Sequence, residues 1–445
     1  MYLVDKRPSF RPPKPTSNPY RILALIVLVL GGIFLVRAVD KGDVQPLFSP
    51  TLTPTRTAQS FAMEGETHFT AGSLKKAIEA YQAATKLDPS DGELWSKLAR
   101  IQTYSSNLLT TDVERAARVA EALISADQAV KVAPDDSIAW AIRAFVLDWN
   151  ANSALNKEKR AGMMTEAEQN AVRALQLDNQ NTLALAFYAE ILVDQQKWEQ
   201  AQQVITQAIQ RGEKIMDVYR VNAYVNESLG NYDVAINEYK EALKITPNLT
   251  FLHISIGANY RQLKQYQQAI DYFAQAATIN ENLGVRDSIP YLAIGKTYTQ
   301  MGEFFIAARN VKKAIQYDPT SPDVYGQLGI VYFKSHNYEG SLDPFKCALF
   351  GCDANISCAV RDCDPEKDEK IVIQGMPLSA NTVVYYYTYG SVLAGLHRKS
   401  QPYCSEAVRV LHQVRQGFPE DKTILSIISA SEEICASYGI TYSGG

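Results

Sequence analysis

The chain has 445 residues and balances 44 Lys and Arg against 48 Asp and Glu, a formal net charge of −4. No basic stripe able to neutralise a run of phosphates stands out from that balance, which excludes nucleic acid as the main partner. The length alone suggests two or three globular domains, but the internal repetition described below predicts one elongated body instead.

Residues 1–21 carry Lys6, Arg7, Arg11, Lys14 and Arg21 against Asp5 alone, with prolines at 8, 12, 13, 15 and 19, and read as a basic, disordered tail. Residues 22–39 read as a transmembrane signal-anchor helix: Ile22 to Val36 contains no polar side chain, and Arg37 can snorkel to the interface. The excess of Lys and Arg before this segment, against only Arg37 and Lys41 close behind, keeps the amino end in the cytoplasm by the positive-inside rule and exports the remainder. A cleaved signal peptide ending near Val36-Arg37-Ala38 is the competing reading and exports the same residues. Residues 40–57, with prolines at 46, 50 and 54 among threonines, read as an extended linker.

From residue 58 a ladder of small residues begins. Ala77, Ala122, Ala167, Ala201, Ala235, Ala269, Ala307 and Ser341 recur with gaps of 45, 45, 34, 34, 34, 38 and 34. A second ladder follows seven residues behind, from Ala84 and Ala129 to Ala314 and Ala348. A small residue at a fixed place in each unit lets two helices approach closely, so the period predicts stacked helical hairpins. In the unit of residues 217–247, Tyr219 and Ala223 precede the turn Leu229-Gly230-Asn231, and Ala235, Tyr239, Ala242 and Pro247 follow it. Apolar and small residues recur three and four apart along both segments, giving each helix one buried stripe.

This unit resembles the tetratricopeptide repeat family, whose signature places an aromatic residue and Leu-Gly in the first helix, Ala and an aromatic in the second, and Pro at the end. Trp95, Leu98 and Ala99 fit the first-helix pattern, as do Trp140 with Ala144, Tyr291 with Gly295, and Tyr325 with Leu328 and Gly329. The resemblance covers residues 58–350 as eight units and, more weakly, 383–419 as a divergent ninth. It implies an all-α, right-handed superhelical solenoid of about nine units, with residues 420–445 as capping helix and tail. The two units with gaps of 45 carry eleven extra residues, close to three turns of helix, and Thr111 with Glu114 has the spacing of a capping box; both point to a lengthened second helix. The four-residue expansion before Ser288-Ile289-Pro290 reads as a shifted loop.

All six cysteines lie in the final quarter, which in an exported chain points to disulfides. Cys404 opens one helix and Cys435 ends its antiparallel neighbour, so these two are expected to pair. Cys347, Cys352, Cys358 and Cys363 can pair in three ways, with residues 351–382 forming a cysteine-containing insertion and Cys352 to Cys363 a stapled loop exposing Asp353, Asp362, Asp364 and Asp368. Their spacing lacks the paired C-x2-C knuckles of common zinc sites, so no metal is expected.

No nucleophile elbow, phosphate loop, dinucleotide fingerprint or haem motif occurs, and neither catalytic residues nor a cofactor is expected. The resemblance implies a concave groove lined by the first helices, at Arg100, Phe145, Trp149, Arg220, Tyr224, Arg261, Lys296, Phe333 and Tyr387. The lysine and asparagines of the family's carboxylate clamp are absent. The groove suits an extended or helical segment of a protein partner that carries acidic residues. These observations suggest a membrane-anchored extracytoplasmic scaffold in a cell-envelope complex. An envelope glycan binder using the Tyr385-Tyr386-Tyr387-Thr388-Tyr389 run, and an accessory subunit of an envelope enzyme, are the alternatives.

Overall fold

The computed structural model describes residues 18–41, 56–109, 112–153, 158–364 and 366–442. Among them the regular structure is helical, and the extended pairings are two isolated bridges, Cys352 with Ile373 and Arg398 with Gln401. The chain divides into two compact units, residues 1–56 and 57–445.

The first unit holds helix α1 (Pro19–Asp40), 22 residues long with no side chain buried. Asn18 caps it by accepting from the Tyr20 N–H, and Pro19 sits in the first turn, where its missing donor costs no bond. At about 1.5 Å per residue the helix reaches the thickness of a hydrocarbon core, roughly 30 Å. Length and composition make it a candidate membrane span, although a signal sequence has the same properties. Lys6, Arg7, Arg11 and Lys14, and the linker prolines 46, 50 and 54, lie outside the described residues.

The second unit stacks helices in consecutive pairs. These are α2 (Ala58–Thr70) with α3 (Leu74–Leu87), α4 (Gly92–Ser105) with α5 (Asp112–Val132), α6 (Ser137–Ala151) with α7 (Arg160–Leu177), and α8 (Thr182–Asp194) with α9 (Trp198–Gln210). Then follow α10 (Met216–Ser228) with α11 (Tyr232–Ile245), α12 (Thr250–Gln262) with α13 (Tyr266–Asn282), α14 (Ile289–Met301) with α15 (Phe304–Tyr317), and α16 (Pro322–Lys334) with α17 (Tyr338–Phe350). A short α18 (Ala354–Arg361) precedes the pair α19 (Val383–Gly395) and α20 (Cys404–Gly417), and α21 (Lys422–Ser437) covers the end.

Both small-residue ladders are buried throughout, from Ala77 and Ala84 to Ser341 and Ala348. The partner helix uses the space: a Cβ at Gly329 would lie 2.7 Å from the Phe345 ring. Successive pairs share a joint. Trp95 Nε1 donates to the Pro89 carbonyl at 3.0 Å, Trp140 Nε1 to that of Pro134 at 2.8 Å, and the Tyr325 hydroxyl to that of Pro319 at 3.0 Å. Each bond satisfies a carbonyl left over where the preceding helix has ended, which gives the first-helix aromatic a polar as well as a packing role.

Helix α5 is 21 residues long and α7 is 18, against 13 in α9 and 14 in α11, so the eleven-residue insertions include longer second helices. Thr111 of the expected capping box lies outside the described residues. The four-residue expansion is not a loop shift alone, because α13 has grown to 17 residues.

The stack curves tightly enough for distant units to touch. Gly72, at φ +81°, faces the Asn248 backbone so closely that a side chain there would collide with its carbonyl oxygen. Tyr104 of α4 stacks on Phe251 of α12, with ring centroids 5.1 Å apart.

At the carboxy end, Cys404 and Cys435 are bonded with Cα atoms 5.4 Å apart, tying α20 to α21. Cys347 joins Cys352 and Cys358 joins Cys363. The stapled loop read between Cys352 and Cys363 is therefore corrected to two short clips: one fastens the end of α17, and the other fastens α18 to the chain behind it.

Candidate functional site

The nine groove residues separate into a cluster and scattered members. Arg100, Phe145, Trp149, Arg220 and Tyr224 come together where α4, α6, α8 and α10 face one another. Arg100 Nε donates to Asp217 Oδ1 at 2.9 Å, and the Tyr104 hydroxyl donates to the same carboxylate. Arg220 Nη1 donates to Glu190 Oε1 at 2.8 Å while Nη2 takes Oε2, and Arg220 Nε reaches the Tyr104 oxygen at 3.1 Å. Trp149 Nε1 donates to Glu190 at 3.0 Å, and Phe145 stacks on Phe187 with centroids 4.5 Å apart.

Arg220 is 6% exposed and Phe145 1%. The bed expected at these five positions is thus closed at Phe145 and at the two arginine pairs, while Trp149 and Tyr224 border a cavity. Its physical reason is the tight turn of the stack, which sets opposite charges across the groove close enough to neutralise each other. A buried charge without a partner is strongly unfavourable, so the pairing holds these helices together rather than offering them to a ligand. Burial pushes the Asp217 carboxyl upward, but the Arg100 charge and the bonds from Arg100 and Tyr104 outweigh it and hold the group below the usual aspartate value.

Beside this network lies a second acidic group. Asp148 is fully buried and neither oxygen has a hydrogen-bond donor apart from its carboxyl neighbour Asp194. Burial, then the neighbouring Asp194 and Glu190 carboxylates, raise its pKa well above the ordinary range. Asp194 is raised too, chiefly by burial, although it accepts from the Tyr224 hydroxyl and the Asn152 amide, each at 2.6 Å. A cavity of about 500 Å³ opens over Asp194, Glu190 and Glu227, walled by Trp149, Tyr224, Tyr239 and Phe251.

A larger cavity of about 880 Å³ lies between the start of α5, the α14 residue Lys296, the start of α16 and the segment 374–382 before α19. Asn381 Nδ2 donates across it to Asp112 Oδ1 at 3.2 Å. The lengthened α5 therefore helps to roof the groove. Lys296 is half-buried on the wall and has no hydrogen-bond or ion-pair partner among the described residues. Met376, Pro377, Leu378 and Val384 supply an apolar side.

The remaining groove residues line neither cavity. Arg261 lies over the Phe273 ring at 5.7 Å with its Nη1 buried and unpartnered, and burial lowers its pKa. Phe333 packs on Tyr338, with centroids 5.8 Å apart, and Tyr387 is half-buried. Tyr385, Tyr386 and Tyr389 are buried, and their hydroxyls donate to Asp323, the Met376 carbonyl and Glu406. Among the described residues no three His, Cys, Asp or Glu side chains converge where a metal ion could sit.

Sequence reasoning missed Tyr104, Asp148, Glu190, Asp194, Asp217 and Glu227. A signal was available: Arg100 with Tyr104, Phe145 with Trp149, Glu190 with Asp194 and Arg220 with Tyr224 are all spaced four apart in successive first helices. That spacing places each pair on one helical face, with the acidic pair Glu190 and Asp194 flanked by an aromatic pair and by Arg220.

Stacked helical hairpins with a side-chain-lined inner face define a solenoid of the interaction-scaffold class. Models of the tetratricopeptide repeat match residues 60–101, 189–249 and 252–283, so the chain carries tetratricopeptide repeats in these segments. Such repeats bind protein partners and are typically non-catalytic. A stretch of 115 residues is 27% identical to the BBSome complex member BBS4 of Bos taurus, covering 26% of this chain and 21% of that one. Another of 171 residues is 25% identical to response regulator aspartate phosphatase E of Bacillus subtilis (strain 168), covering 36% and 46%. The matches thus span about a fifth and about half of those relatives. The human IFIT1 dimer with PPP-AAAA superposes with a TM-score of 0.50 at 15% identity, over 87% of this chain and 92% of that one, a likeness of fold.

Proposed function

We propose that this protein is a membrane-anchored extracytoplasmic scaffold that organises a cell-envelope complex by holding an acidic segment of a protein partner in the larger cavity. The observation that carries the reading is Lys296, half-buried and with no hydrogen-bond or ion-pair partner among the described residues, on the wall of a cavity of about 880 Å³ that Asp112, Glu114, Glu158 and Asp323 line elsewhere. A carboxylate of the partner supplies an ion-pair partner, and the apolar wall from Met376 to Val384 takes the flanking side chains. Helix α1 supplies the anchor, and the confinement of all cysteines to the exported part supports the orientation. The glycan reading has less support, because Tyr385, Tyr386 and Tyr389 are buried and Tyr387 alone of the run's tyrosines is half-buried.

Crosslinking with mass spectrometry on native membranes tests the proposal. Wild-type protein recovers a defined partner through an acidic segment, and Lys296→Glu loses it while remaining folded. Equal recovery from both, or no protein recovered from either, overturns the reading.

A further inference from the structure

We infer that the smaller cavity binds an alkylammonium group, carried either by a lysine of a partner segment or by a free diamine. This site is separate from the Lys296 cavity and does not depend on the acidic-segment reading.

On the inner face between α4 and α12 each guanidinium has its own carboxylate, Arg100 with Asp217 and Arg220 with Glu190. Three acids there have no cationic partner among the described residues: Asp148, Asp194 and Glu227. Asp194 and Glu227 line the cavity, and Asp148 stands directly behind Asp194. The bonds these acids accept are from neutral donors. Tyr224 and Asn152 serve Asp194, and the Tyr239 hydroxyl at 3.0 Å and the Asn259 amide at 2.9 Å both serve Glu227 Oε2. Asp148 is fully buried with no donor apart from its carboxyl neighbour Asp194. An acid in that position avoids isolation only by keeping a proton against Asp194, or by the arrival of positive charge nearby.

The walls select the kind of cation. Trp149, Tyr224, Tyr239 and Phe251 surround the space, and aromatic faces attract an ammonium that has shed its water. A divalent metal would need several oxygens converging on one point, and no trio of acidic side chains does so among the described residues. Two arginines also line the cavity. The terminal nitrogens of Arg220 are spent on Glu190, and Arg115 is held by Asp112 at 3.1 Å and by the Leu109 carbonyl at 2.9 Å, which leaves the Asp194 and Glu227 side for the ligand. A volume of about 500 Å³ admits an ammonium with a short alkyl chain.

Binding is coupled to protons. The groups facing Asp148 are Glu190 and Asp194 on α8, and Arg220 and Tyr224 on α10. A cation bound at Asp194 favours the fully ionised acids and expels the shared proton, so affinity rises with pH.

The test is calorimetric titration of the full chain in nanodiscs with cadaverine and, separately, with an acetyl-Gly-Lys-Gly-amide peptide and its norleucine counterpart. The expected result is saturable binding of at least one ammonium probe at pH 8, about tenfold weaker at pH 5, and none of the norleucine peptide. Cadaverine alone binding identifies a free diamine as the source, and the peptide binding identifies a partner's lysine. Asp194→Asn and Glu227→Gln each weaken binding about tenfold or more, with folding checked by circular dichroism; the pH comparison on wild-type protein requires no variant. Absence of saturable binding by either ammonium probe at millimolar concentration, or affinity unchanged by pH and by both substitutions, overturns the assignment.

Discussion

Between α4 and α12 the first helices press close enough for Arg100 to reach Asp217 and for Tyr104 to stack on Phe251, whereas between α14 and α19 a cavity of about 880 Å³ leaves Lys296 with no ion-pair partner among the described residues. Both regions use the same helical hairpin. What differs is how tightly the stack turns and where the lengthened helices reach. In the tight region, arginines that the family resemblance assigns to a partner are consumed as internal ties. In the wide region the half-buried Lys296 has no such tie among the described residues. A groove position therefore acquires a role only from what lies opposite, which a repeat register does not specify.

Substitutions in the two regions should separate stability from binding. The largest effect is expected from Glu190→Ala, which strands the buried Arg220 guanidinium and should lower unfolding free energy by about 3–5 kcal/mol, read from guanidinium chloride midpoints. A loss below about 1 kcal/mol would show that the tight region is not held by these pairs. Next comes the clip at the far end of the wide region. Replacing Cys404 and Cys435 by serine opens a loop spanning 31 residues and should cost about 3–4 kcal/mol, seen as a lower melting temperature that reductant no longer changes.

A smaller effect depends on pH. The Asp148 pKa is raised in the folded state, so its share of stability is full below the ordinary aspartate value and is lost as pH rises from there through the raised one. Wild-type protein should be less stable at pH 8 than at pH 5, losing about 1.4 kcal/mol for each pH step over which the folded protein keeps the proton and the unfolded chain has released it. Asp148→Asn should flatten most of that slope. Asp194, raised chiefly by burial, and Asp287, pushed to about 6 mainly by burial, contribute in the same direction and remain in the variant, while His253, lowered by burial, acts oppositely. A slope identical in both proteins would remove Asp148 from the account. The smallest change in stability belongs to Lys296→Ala, expected within about 0.5 kcal/mol of wild type, because no internal partner is lost. Its consequence should appear only in partner recovery, and a large loss of stability would contradict the contrast between the regions.

Much of the fold was legible because the reporting residues act locally. The buried ladder from Ala77 to Ala348 records contacts between adjacent helices, and eleven extra residues translate directly into turns of helix in α5 and α7. The inner face was legible only in part. Phe145, Trp149, Arg220 and Tyr224 do cluster, through Glu190, Asp194 and Phe187 of adjacent units, but the pairing of Arg100 with Asp217 depends on curvature, a property accumulated over several units and carried by no single one. The same holds for the short disulfide clips, where three pairings were open until the backbone path of residues 347–363 was known.

A repeat array whose units touch only their neighbours behaves mechanically as a spring, each coil yielding a little under load. The bond from Asn381 to Asp112 spans 269 residues of sequence, and that from Arg100 to Asp217 spans 117. Such cross-ties join coils that a spring would let slide apart. The protein should resist extension stiffly until these ties part, and only then lengthen hairpin by hairpin. Under load the repeat array should therefore act as a rigid strut rather than an elastic tether.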